Sequence, residues 1–365
     1  MKAAFEPLDV RFLERKNGKE CWINSAENHT QGISIIQRVL GFLKTHGFHA
    51  VSMRLFGNQE AIAEASSFLE TKMAEIVCPP LFILQNDSTK GPCLSVQVHA
   101  VSGAHLKPLY FENELVGRQF EDDYARYYML RILPDNPSVS EYNQSQNVFE
   151  KAHKILKSLD SGFSETIRTW LFAKDILSWY SQLNKARNQF FEYHDIYNKL
   201  VPASTGIGVA NSYNMALAAQ FLAVGPKNKK EVSVYSVKSP LQCPALDYKS
   251  SFSRAIKLDS PDHSRLYISG TASIDKAGNT VFIDDTFAQL EFTMQVIKAI
   301  LNEAGMDWSD TISSIVYFKN QRDFGLFDEY CRQKDIKLPH IKVQADVCRD
   351  DLLFELELDA VSVAP

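Results

Sequence analysis

Residues 353–361 read LFELELDAV, and Leu353, Glu355, Glu357 and Asp359 alternate there with Phe354, Leu356, Leu358 and Ala360. Period-two alternation marks a strand whose apolar side packs on a core. The opposite side carries three carboxylates in a row, and a charged strand face is ordinarily solvated. Two earlier stretches share the alternation and the Ala-Val ending, LSVQVHAV (94–101) and LAAQFLAV (217–224). Superposing the Ala-Val pairs sets Glu355 opposite Ser95 and Ala218, and Glu357 opposite Gln97 and Gln220. Only the third copy is acidic, which a generic wet face does not explain.

The same context precedes each copy. An amphipathic helix comes first (58–76, 178–196 and 323–336), then, further upstream, a short strand (50–57, 166–173 and 312–319). Before that strand lies a helix ending in glycine and an apolar residue, and Gly47, Gly162 and Gly305 suit the left-handed position that closes a helix. A strand pair opens each unit, clearest in RLYISGTASIDKAGNTVFI (265–283), whose AGN is expected to supply the turn. The order β-β-α-β-α-β therefore occurs three times. Each unit is far longer than the roughly 20–50 residues of a solenoid repeat, so each reads as a small α+β domain. The expected division is an N-terminal region of two degenerate units (1–237, split at about 105/106) and a C-terminal unit (238–365). Helices on one face of each sheet leave the other face to be covered. Three sheets packed edge to edge around a pseudo-threefold axis satisfy that need, as if a homotrimer had been fused into one chain. The expected state is a monomer, with exposed remnants able to support at most a weak dimer.

Composition excludes several function classes. The chain has 365 residues, a net charge of −5 and no long run of either sign, so neither nucleic acid nor an anionic membrane surface is an expected partner. No apolar run approaches the roughly 20 residues that span a bilayer, and MKAAFEPLDV shows no signal-peptide core. Six scattered cysteines form no CxxC, and nine histidines form no HxH or HxxxH pair. Disulfides, a metal site and a metal cofactor are not expected, and a reducing cytoplasm fits. TGIGVAN (205–211) is glycine-rich but lacks the lysine and spacing of a phosphate cradle.

Residues 250–365, with ISGTASID, FAQLEFTMQVIKAILNEAGMDWSD and FELELDA, resemble the YjgF (Rid, reactive-intermediate deaminase) family, whose members are trimers of such a domain. The resemblance implies imine hydrolysis in clefts between subunits, with an arginine near the last strand and a glutamate on it. Glu355 matches the glutamate. LPHIKVQADVC (338–348), where the arginine should stand, has none, which sets the chain apart from a simple imine deaminase. A broader resemblance is carried by GRQFEDDYARYYML (117–130), RTWLFAKDILSWYSQLNKAR (168–187), PASTGIGVAN (202–211) and SPLQCPALDYKSSFSRA (239–255). Together these look like the chorismatase family, single chains whose core mimics a YjgF trimer. That resemblance implies cleavage of chorismate to pyruvate plus a dihydroxycyclohexadiene carboxylate or a hydroxybenzoate, without cofactor. The alternatives are a Rid-type deaminase acting on imines or enamines, and a non-catalytic binder of cyclic carboxylates.

Cleaving an enolpyruvyl ether requires a proton on its methylene carbon, hence a carboxylic acid kept protonated near neutral pH. Glu355 is the candidate, with Glu357 in a supporting position. Two substrate carboxylates call for guanidinium or phenolic donors. Arg126, Tyr127, Arg168, Tyr213 and Arg254 stand in or near the matching blocks and are the candidate substrate-binding residues. Gly270, where backbone could approach a ligand or the strand could bulge, and Cys348, seven residues before Glu355, complete the set. Tyr180, Asn184 and Arg187 share a helix face, read as packing between units.

Overall fold

Three sheets, each with helices on one side only, turn their bare faces towards a common axis. The computed structural model describes residues 3–5, 8–25, 32–85, 93–248 and 250–363. The first unit runs β1 (Ala3–Phe5), β2 (Leu8–Arg15), β3 (Gly18–Ser25), α1 (Ile33–His46), β4 (His49–Gly57), α2 (Gln59–Glu70), α3 (Met73–Ile76), β5 (Leu81–Leu84) and β6 (Leu94–Ser102). The second runs β7 (Leu106–Phe111), β8 (Glu114–Glu121), β9 (Ala125–Ile132), α4 (Glu141–Ser158), β10 (Thr166–Ala173), α5 (Ile176–Tyr193), β11 (Ala203–Gly208), β12 (Ala210–Asn211) and β13 (Leu217–Pro226). The third runs β14 (Ser233–Val237), β15 (Ala255–Asp259), β16 (His263–Ala272), α6 (Thr286–Glu303), β17 (Thr311–Phe318), α7 (Phe324–Gln333), β18 (His340–Gln344) and β19 (Phe354–Val363); β14 pairs with β15, so this sheet takes in residues 233–237, ahead of the expected boundary at 238.

The sheet orders are β1-β2-β3-β6-β4-β5-β12, β11-β10-β13-β9-β8-β7 and β14-β15-β16-β19-β17-β18. In each sheet the Ala-Val strand (β6, β13 or β19) lies at the centre, antiparallel to both neighbours. The three-unit α+β reading therefore holds, with one addition: a short strand (β5, β11 or β18) pairs parallel to β4, β10 or β17. These strands span only four to six residues, and two glycines in ASTGIG weaken the strand pattern of β11. β12 crosses from the second unit to pair with β5 of the first, stitching the units together.

Two local expectations need correction. The pair that opens the third unit is β15 with β16, whereas the AGN turn closes only a single bridge between Ile274 and Thr280. The Val281 N–H donates to the Ser273 carbonyl beside that bridge, while the Thr280 hydroxyl turns away to Asp351. Gly47 and Gly305 do close helices with φ of 67° and 71°. Gly162 is extended, φ −128°, because Asp160 takes the left-handed position two residues earlier, at φ 55°, a conformation aspartate tolerates better than most residues.

The helix side of β19 shows why the alternation forms. Leu356, Leu358 and Ala360 pack on Leu290, Met294, Ile297 and Leu301 of α6 in one buried cluster. The 4-3-4 spacing along α6 is the stripe a helix needs to sit on a sheet. The Asp285 side chain caps that helix, accepting from the Ala288 N–H at 2.9 Å. The acidic face of β19 is turned inwards, so Glu355 and Glu357 are each only 4% exposed. A second core fills the space between the sheets, drawing Phe56, Phe172 and Tyr317 from all three units.

Ladder registers identify equivalent positions around the axis. Phe56 faces Ser95, Phe172 faces Ala218 and Tyr317 faces Glu355. In the next layer Arg54 faces Gln97, Trp170 faces Gln220 and Ile315 faces Glu357. The Arg54 guanidinium lies 3.8 Å from the Trp170 ring centroid and donates to Gln97 at 2.9 Å and Gln220 at 2.5 Å. Further along, Glu20, Tyr127 and Arg265 face Val101, Val224 and Val361. The Arg265 guanidinium grips the Glu20 carboxylate with bonds of 2.6 and 3.0 Å and covers the Tyr127 ring at 4.9 Å.

Candidate active site

β19 places Glu355 at the bottom of a cavity of about 270 Å³ between the second and third units. The third unit supplies Arg254, Gly270, Ala272, Ile274, Cys348, Arg349 and Leu352 to its walls, and α5 of the second unit supplies Tyr180, Ser181 and Asn184. Burial, reinforced by the charge of Glu357, pushes the Glu355 carboxyl group up to about 8, against the pull of Arg168 and Arg254. At neutral pH the group therefore holds its proton. A buried carboxyl group with a raised pKa, set in a cleft, is the setting in which general acids are commonly found.

Glu357, two residues along, lives in a different electrostatic setting. Its carboxylate accepts from Arg168 Nη2 and Trp170 Nε1, both at 3.0 Å, with Arg54 Nη1 at 3.8 Å. Bonds from two sides fix the position of this carboxylate. One strand thus carries a neutral acid facing a cavity and a paired carboxylate facing the axis.

The seat of Glu355 is a bulge in β16. The β16–β19 register shifts between Ile268 and Thr271, and the kink lets the Gly270 backbone come up against the carboxyl group. A Cβ added at Gly270 would stand 2.0 Å from Glu355 Oε1 and 3.1 Å from the Thr205 methyl carbon. Gly270→Ala is therefore expected to fold but displace the acid. A misplacement of about 1 Å costs roughly a hundredfold in rate, which turnover measured beside the melting temperature checks.

Of the residues singled out from sequence, Glu355, Arg254, Gly270 and Cys348 meet at this cavity. Arg254 donates from Nε and Nη2 to the Cys243 carbonyl at 3.1 and 2.9 Å, which fixes the plane of its guanidinium. Desolvation and the neighbouring Glu355 push the Cys348 thiol up to about 12, so it is a neutral wall group and not a nucleophile. Arg168 lies behind the cavity, fully buried on Glu357. Arg126, Tyr127 and Tyr213 do not line it. Arg126 is an exposed cation paired with Glu121 at 3.1 Å. Tyr127 is buried at the axis, stacked on Phe120 with its hydroxyl on Asp122 at 2.7 Å. Tyr213 joins the first two units, donating to the Pro80 carbonyl at 2.9 Å and accepting from the Phe82 N–H at 3.2 Å. The sequence reading missed Tyr180 and Asn184 as lining groups because their i, i+4 spacing is also that of a packing face. It passed over Arg349, although that residue follows Cys348 directly.

Among the described residues no cluster of His, Cys, Asp or Glu could hold a metal ion, and no helix is long and apolar enough to cross a membrane.

Comparison with known proteins gives a consistent picture. Residues 244–362 match the family described as Endoribonuclease L-PSP. A RutC family protein of Saccharolobus solfataricus is 32% identical over 97 residues, covering 26% of this chain and 77% of its own length. A 3-hydroxybenzoate synthase of Streptomyces hygroscopicus is 26% identical over 226 residues, covering 54% of this chain and 63% of the synthase, so less than two thirds of that relative is matched. The crystal structure of a chorismatase superposes on 86% of this chain and 93% of its own, with a TM-score of 0.61 and 17% sequence identity. That likeness is one of fold.

Proposed function

Because the chain belongs to the RutC family through its C-terminal unit and shares the fold of a chorismatase along most of its length, we propose that it is a cofactor-independent enzyme cleaving the enolpyruvyl ether of chorismate or a close relative. The observation that carries this reading is a buried carboxylic acid, protonated at neutral pH, in a cavity walled by Arg254 and Arg349. Two guanidinium groups suit a dicarboxylate, and a protonated acid in the same cavity suits protonation of carbon.

Glu355 delivers its proton to the terminal methylene, which becomes a methyl group and leaves an oxocarbenium-like carbon. Water adds to that carbon, and one of its protons restores Glu355. The resulting hemiketal collapses to the ketone of pyruvate as the bond from that carbon to the ring-borne oxygen breaks, and the hemiketal's hydroxyl proton passes to that oxygen, which stays on the ring as a hydroxyl. The chain acts as a monomer in this reading, since three units already supply each other's missing faces.

Purified protein mixed with chorismate is expected to release pyruvate. Activity needs the protonated acid, so turnover should fall as pH rises through about 8, the value to which Glu355 is pushed. Folded protein that releases no pyruvate above background refutes the reading. Ammonia from freshly generated 2-aminoacrylate would point to the deaminase chemistry instead.

A further inference from the structure

The acid of the third unit rests on a scaffold supplied by the second. Thr205 Oγ1, on β11, accepts the N–H of Gly270 at 3.0 Å and a bond from Arg168 Nη2 at 2.7 Å. The same Arg168 nitrogen reaches Glu357 Oε2 at 3.0 Å. One residue earlier, the Ser204 N–H donates to Ser269 Oγ at 2.8 Å, and that hydroxyl donates to the Ser253 carbonyl at 2.6 Å. Both bulge residues, Ser269 and Gly270, are thus held by the edge of the neighbouring sheet. Thr205 and Arg168 are 1% and 0% exposed, and neither lines the cavity.

We propose that Thr205 and Arg168 are positioning residues for Glu355, acting across the interface between units to hold the glycine bulge that seats its carboxyl group and to anchor the carboxylate beside it. A β-bulge unpairs part of its own ladder, so its shape must be fixed from outside. Here the outside is one hydroxyl shared between a backbone N–H and a buried guanidinium. Arg168 has an interfacial role in this arrangement, and the substrate carboxylates fall to the arginines of the cavity wall. Charged or titratable groups facing Glu355 are Glu357 on the same strand, Arg168 on β10, Tyr317 on β17, Arg254 just before β15, Cys348 and Arg349 on the segment before β19, and Tyr180 on α5.

The proposal rests on Glu355 being the acid, and its test has a readout independent of turnover. The Glu355 carboxyl carbon is followed by NMR in protein labelled at glutamate, its signal assigned by its loss in Glu355→Gln. In Thr205→Val the bulge loses its anchor and water reaches the carboxyl group. Its titration midpoint is then expected to fall by about one pH unit, and kcat on chorismate by about tenfold with KM little changed. Thr205→Ser keeps the oxygen and should restore both. Arg168→Lys keeps the charge but loses the planar fork that spans Thr205 and Glu357, and should shift the midpoint the same way. It is read in place of Thr205→Val if that variant does not fold. A midpoint unchanged in Thr205→Val, or in Arg168→Lys when that variant is the one read, overturns the proposal. Absence of chorismate turnover in the wild type refutes the enzymatic reading alone, because the titration still decides whether these residues position the carboxyl group.

Discussion

Glu355→Gln is expected to lower turnover by about two to four orders of magnitude, the range over which general acid catalysis operates. The amide keeps the size and polarity of the side chain but has no transferable proton. Folding stability should barely change, because Glu355 is buried in its neutral form and an amide is no harder to bury than a protonated acid. The contrast with Glu357→Gln makes the test specific. That residue is held by Arg168, Trp170 and Arg54 on the axis side, so its amide should leave the acid in place and retain most activity. Removing the neighbouring charge should let Glu355 ionise more easily, moving the alkaline fall in activity to lower pH. Wild-type turnover in Glu355→Gln, measured as pyruvate from chorismate, would end the case for this acid.

Arg265→Met should produce the largest loss of stability. Glu20 and Arg265 are both buried, joined by two bonds, with His99 at 2.9 Å and Arg15 at 3.0 Å completing the cage around the carboxylate. Burial alone would raise the Glu20 carboxyl, but Arg265, His99 and Arg15 together hold it well below the ordinary range. Deleting the arginine leaves a buried charge without its main partner, which costs about 3–5 kcal/mol. Glu20→Met combined with Arg265→Met should recover much of that loss, because apolar replacements of a buried pair are often neutral. The sign with pH follows from the lowered carboxyl: the contribution is in full force above the ordinary carboxylate range and is lost as pH falls below it. Denaturant midpoints at pH 7 and under acid conditions measure both effects. An Arg265→Met midpoint equal to that of the wild type would contradict the assignment.

Strand 353–361 was legible because its two faces obey different rules. The leucines demanded a helix, and the acids became informative once their counterparts proved to be serine, alanine and glutamine. Gly270 was legible as a close approach, although what approaches it is the acid's own carboxyl group. Long-range partners were not legible. Nothing local in RYYML sends Tyr127 to the axis and Arg126 to solvent; the register of β9 against β13 decides it. Likewise, the face of α5 that reads as packing becomes a cavity wall once the third unit stands opposite it. Strands of four to six residues carry too little pattern to stand out from loops.

The axis also records a loss of interchangeability. In a trimer of identical subunits, each axial position appears three times over, so a charge there meets only itself. Here one such position holds Glu20, Tyr127 and Arg265, and another holds Gln97, Gln220 and Glu357. The three thirds have become keyed parts, each fitting its neighbours and none fitting a copy of itself. Three C-terminal thirds brought together would set three arginines against one another at one level and three glutamates at another. Such a chain cannot revert to a ring of equals by losing its linkers.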